Sequence, residues 1–232
     1  MLALSKVKGG KGETAMAQYE KFVSSLKVPE SEKDLMRLKI AQNLQSPEES
    51  LKYLSKISQV PDLRNEWRLF DIRHKLIYGG ISDIDFTDGY GGPIRDYYIY
   101  YLMSQGRFKN ILTLMTPPED FPEFWKVFVC WKQNIASWKE QCELLIEKHK
   151  NNPDPLIPVA ASIMLGKITP DEARSLLKRL PPEDEPFLLL VLAESYMKSN
   201  NKLKAKVCFA LAARDKTNPL LPVINFFKQR AE

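Results

Sequence analysis

Histidine is scarce in this chain, with two in 232 residues, and cysteine nearly so, with three. Cys130, Cys142 and Cys208 lie far apart and form no close pair. An odd count without a spacing pattern excludes a secreted disulfide framework and a zinc site, and points to a reducing, intracellular setting, cytoplasmic or nuclear. No stretch approaches the roughly 18 uncharged apolar residues that cross a bilayer. The longest apolar run, Phe187 to Ala193, is bounded by Glu185 and Glu194. There is no Ser/His/Asp order, no phosphate-cradling glycine loop and no metal-ligand spacing, so the sequence offers no constellation for catalysis and calls for no cofactor. His74 reads as a surface or interface histidine, and His149 as a cation at a helix end.

The charge balance of +5, from 34 basic and 29 acidic residues, is mild, and both signs are mixed along most segments. That pattern reads as solvated helix faces. A basic nucleic-acid (RNA)-binding surface is the alternative.

Against these absences stands a repeat. Ala205 is followed three and four residues later by Cys208 and Phe209; Ala173, Cys142, Ile111, Ser50 and Tyr19 each begin the same apolar triplet. The step is about 31 residues, within the range of solenoid repeats. A copy centred near Ile81 lacks its helix. Twelve and thirteen residues before the landmarks lie further small or apolar pairs, Ala193 and Leu192, Ala161 and Ala160, Cys130 and Val129, Ile99 and Tyr98. Offsets of three and four make one face of a helix, and that face recurs in two successive helices.

Breaks at Ser104–Gly106 and Thr217–Pro219 separate helices in this phase. Ser46-Pro47-Glu48-Glu49 and Thr169-Pro170-Asp171-Glu172 read as helix starts: a hydroxyl cap, proline in the first turn, then acids favoured by the dipole. Strand signals are nearly absent. We expect an all-α fold, an αα-solenoid of about six helix pairs over residues 13–232 with a C-terminal capping helix, preceded by a flexible tail at 1–12. Residues 79–92, GGISDIDFTDGYGG, form an irregular insertion whose acids do not match a calcium loop.

Leu189, Leu192-Ala193, Tyr196, Ala205, Phe209, Ala212 and Pro219 resemble the tetratricopeptide repeat (TPR), in degenerate copies, the proline falling two places late. That resemblance implies protein–protein recognition through a groove lined by the first helix of each pair. Its chaperone-binding clamp needs Lys and Asn, whereas the matching positions carry Tyr100, Trp131, Ser162 and Glu194 and their neighbours, so no clamp is expected. The expected function is a non-enzymatic scaffold or adaptor subunit of a larger complex, binding a peptide, helix or subunit. Candidate contacts are Phe86 and Tyr90 in the insertion, Tyr97 and Tyr100, which leave the core phase of their helix, Trp131, Phe70 and His74 on neighbouring helices, and Phe22 at an end that lacks its partner helix.

Overall fold

A computed structural model of the protein describes residues 12–44, 46–86, 94–114, 120–152, 154–177, 181 and 183–231. Among the described residues there are thirteen α-helices and no strand, and the chain is all-α. They divide into two compact units, one through Ile84 and one from Asp85 onward. The boundary falls inside the stretch 79–92 that the sequence sets apart. Residues 1–11 of the expected tail and residues 87–92 of the insertion lie outside the described residues.

The first unit holds α1 (Gly12–Ser25), α2 (Glu30–Asn43), α3 (Pro47–Ile57) and α4 (Arg64–Tyr78). Each helix packs on the next in chain order. Leu38, Ala41, Tyr53, Leu54, Ile57 and Phe70 form the core. Arg37, almost wholly buried, donates to Glu20 on α1 (2.7 Å), to Glu30 (2.5 Å) and to Asp34 (2.9 Å), tying α1 to α2. A buried guanidinium is tolerable only when its donors are paired this completely. After α4 the left-handed Gly80 leads into a single 3-10 turn, Ile81–Asp83, where the repeat phase lacks a helix.

The second unit holds α5 (Ile94–Ser104), α6 (Phe108–Thr113), α7 (Asp120–Lys132), α8 (Trp138–His149), α9 (Leu156–Leu165), α10 (Pro170–Leu177), α11 (Glu185–Lys198), α12 (Lys202–Ala212) and α13 (Leu221–Ala231). Each helix from α5 to α12 packs on the next in chain order, and α5 packs on α7, α7 on α9, and α9 on α11. The closing helix α13 packs on α12 and returns to α5. Leu220, Val223, Ile224 and Phe227 are buried, as the repeat phase requires of that helix.

Landmark positions fall one each in α1, α3, α6, α8, α10 and α12. Ser50, Ile111, Cys142, Ala173 and Ala205 are fully buried, and Tyr19 is half-buried. Small residues here let helices approach closely. The two proline-led helix starts differ. At α10, the Thr169 N–H donates to Glu172 Oε2 (2.8 Å) and the Glu172 N–H to Thr169 Oγ1 (3.2 Å), a complete capping box. At α3, Ser46 is extended before Pro47 but its hydroxyl makes no cap, so proline and the acids of the first turn carry that start.

Candidate functional site

The expected contact residues divide between the two units. In the first unit, Phe70 is in the core and His74 is buried, its Nδ1 3.0 Å from the fully buried Ser50 Oγ and its ring 4.8 Å from that of Tyr78. Burial lowers the His74 pKa, so the pair joins α3 to α4 around a neutral imidazole. Of the two readings of His74, surface or interface, the structure gives a buried helix–helix interface: α4 is packed on the face that carries Phe70, His74 and Ile77. His149, at the end of α8, is buried as well. Phe22 is 57% exposed and stands out from α1, with the Tyr19 ring 6.2 Å away.

In the second unit, Trp131 is buried among the α7 aromatics. Tyr97 is half-buried, its ring 6.3 Å from that of Tyr100. Tyr100 packs edge-on against Trp125 at 5.6 Å, and burial raises its phenol pKa far above the usual tyrosine range. Phe86 lies against Tyr98 (4.6 Å) and Tyr101 (5.4 Å). Phe86 is thus half-buried against the tyrosines of α5. Tyr90 lies outside the described residues.

What the second unit does assemble is a cavity of about 480 Å³, within the range of ~300–1,000 Å³ in which ligands bind. Its lining comes from the turn after α5 (Gly106), from Phe108, from the end of α7 (Lys132, Gln133), from α11 (Glu194, Met197) and from the last turn of α13 (Phe227, Arg230). Gly106 is left-handed (φ 66°), and a Cβ there would meet the Phe226 ring at 3.1 Å, so this corner requires glycine.

Electrostatics concentrate on Glu194. Its side chain is 3% exposed and accepts from the Lys132 ammonium. Burial raises the Glu194 carboxyl pKa, and Lys132, Lys198 and Arg230 oppose that rise. Lys132 also stands 5.2 Å from the Phe227 ring. Lys198 donates to the Trp131 carbonyl and lies 4.5 Å from the Trp131 ring; burial, then the Lys132 charge, lowers its pKa. Arg230 covers the Phe226 ring at 5.0 Å. The lining thus combines two phenylalanines, Phe108 and Phe227, two cations, Lys132 and Arg230, and one buried carboxylate.

The three thiols are buried, and desolvation raises each, that of Cys142 to about 12, so none is a nucleophile at neutral pH. No cluster of potential metal ligands occurs among the described residues, and none of their helices is long and apolar enough to cross a membrane.

Comparison with family models, with curated protein sequences and with solved structures returns no match.

Proposed function

We propose that this protein is a TPR-like helical-repeat scaffold, an adaptor subunit that works by binding a protein partner rather than by catalysis. On this reading α5/α6, α7/α8, α9/α10 and α11/α12 are successive repeat units and α13 is the terminal cap. With α2/α3 as a fifth pair and α1 and α4 as single helices of the same phase, each lacking its partner, the array amounts to about six helix pairs.

The observation that carries the reading is the origin of the cavity lining. Lys132, Glu194 and Met197 come from α7 and α11, the first helices of their pairs, Gln133 follows α7 directly, and Phe108 of α6 and the closing α13 complete the lining. The TPR resemblance implies a groove lined by the first helix of each pair, and solenoids bind through such concave surfaces. Cationic and aromatic side chains around a recess of this size suit a partner segment with an acidic group beside an apolar one, and Arg is favoured at such contacts.

The test is affinity capture from lysate with the parent protein and with Arg230→Glu, a change at an exposed position. The scaffold reading expects a discrete protein retained by the parent and reduced about tenfold or more by the variant. The same eluates are probed for RNA. Retention of RNA alone, with the steep salt dependence of phosphate contacts, would replace the scaffold by the nucleic-acid alternative.

A further inference from the structure

Helix α12 is apolar on two sides. Ala205, Cys208, Phe209 and Ala212 are buried against the second unit. On the opposite side Leu203 is 77% exposed and Val207 44%, and Ala210 is exposed in the same row. Leu203, Val207 and Ala210 follow one another at intervals of four and three, the spacing of a heptad seam, with the small Ala210 allowing close approach. Nothing in the packing of the unit calls for a leucine at that exposure.

The charges beside this seam say what would cover it. Lys206 and Lys204 occupy the two positions that flank a heptad seam, and Lys202 extends the Lys206 rim. Lys204 reaches Asp171 on α10 (2.7 Å), whereas Lys202 and Lys206 have no ion pair among the described residues. An antiparallel second copy would set Lys206 against Lys206, and a parallel one would leave the lysines without anionic partners. A helix carrying glutamates at its flanking positions neutralises them.

We propose that the outer face of α12 docks one acidic amphipathic helix of a partner protein, Leu203, Val207 and Ala210 forming the seam and Lys206 selecting the acidic edge. This surface contributes nothing to the cavity lining and stands whether or not the cavity binds.

The experiment uses fluorescein-labelled peptides of about three heptads with leucine at both seam positions, one with glutamate and one with lysine at the flanking positions. Binding to the full chain is followed by anisotropy, with circular dichroism confirming that each variant is folded. The acidic peptide should bind and the basic one should not, with affinity falling as salt rises. Val207→Asp should weaken binding about tenfold or more, and Lys206→Glu should shift preference toward the basic peptide. Equal binding of both peptides, no binding of the acidic one, or indifference to Val207→Asp would each overturn the proposal. So would self-association relieved by Val207→Asp, which would make the occupant a second copy. Binding to phosphatidylserine vesicles with no peptide preference would make it a lipid surface.

Discussion

Replacing Lys132 by methionine keeps the length of the side chain over Phe227 and removes the cation that Glu194 holds. The carboxylate then stays in the wall of the cavity with its closest partner gone. Removing one member of a buried pair typically costs ~3–5 kcal/mol. Here the Lys132 side chain is 22% exposed and Lys198 and Arg230 remain nearby, so we expect ~2–3 kcal/mol at pH 7. The sign of the pH dependence follows from burial. Glu194 already has a raised pKa, and loss of Lys132 raises it further. Parent and variant differ in bound protons between the parent's raised Glu194 pKa and the variant's still higher one, so across that window the penalty grows as pH rises, and it shrinks as pH falls. Urea unfolding followed by tryptophan fluorescence reads the second unit, since Trp125, Trp131 and Trp138 are there and only Trp67 is in the first. Lys132→Met combined with Glu194→Gln should recover at least ~1 kcal/mol. A penalty below ~0.5 kcal/mol, or one independent of pH, would show that Glu194 is not held by Lys132.

Ala205→Glu or Ala173→Glu should destabilise by ~3 kcal/mol or more in urea denaturation, because each puts an unpaired charge at a fully buried helix crossing. Gly106→Ala should cost ~1–2 kcal/mol in the same assay, from left-handed backbone strain and the contact with Phe226. In the first unit, burial depresses the His74 pKa, so that contribution to stability is complete above pH ~6.5 and is lost as pH falls through the depressed value. His74→Phe should flatten the parent's loss of stability between pH ~6.5 and 5, measured by circular dichroism.

Local periodicity made the helices legible. Ala173, Cys142, Ile111 and Ala205 could be placed because a helix buried on one side repeats its small and large residues at fixed offsets, and the structure buries all four. The hydroxyl-capped, proline-led start at Thr169 was legible for the same reason, its cues being adjacent, whereas the return bond from Glu172 that completes the box comes from the structure. Contacts remote along the chain were not. Lys132 and Glu194 are 62 positions apart, and the return of α13 to α5 spans most of the second unit, so neither leaves a mark in any window of sequence. One local signal did point to the site: Glu194 is an acid at the end of a run whose every residue from Pro186 is buried. Of the aromatic candidates, the structure buries Phe70 and Trp131 and leaves Tyr100 half-buried against Trp125. Bulk and aromaticity are shared by cores and binding surfaces, and the choice between them depends on neighbours that only the fold supplies.

Whether the cavity of the second unit faces the partner is tested most directly by site-specific photo-cross-linking. A benzophenone side chain at the exposed position of Gln133, on the cavity lining, is compared with one at Leu144, 61% exposed on α8 and outside the lining. The scaffold account predicts a discrete adduct with one protein from Gln133, lost when Arg230→Glu is added, and none from Leu144. An adduct from Leu144 alone, or one from Gln133 that is indifferent to Arg230, would contradict it.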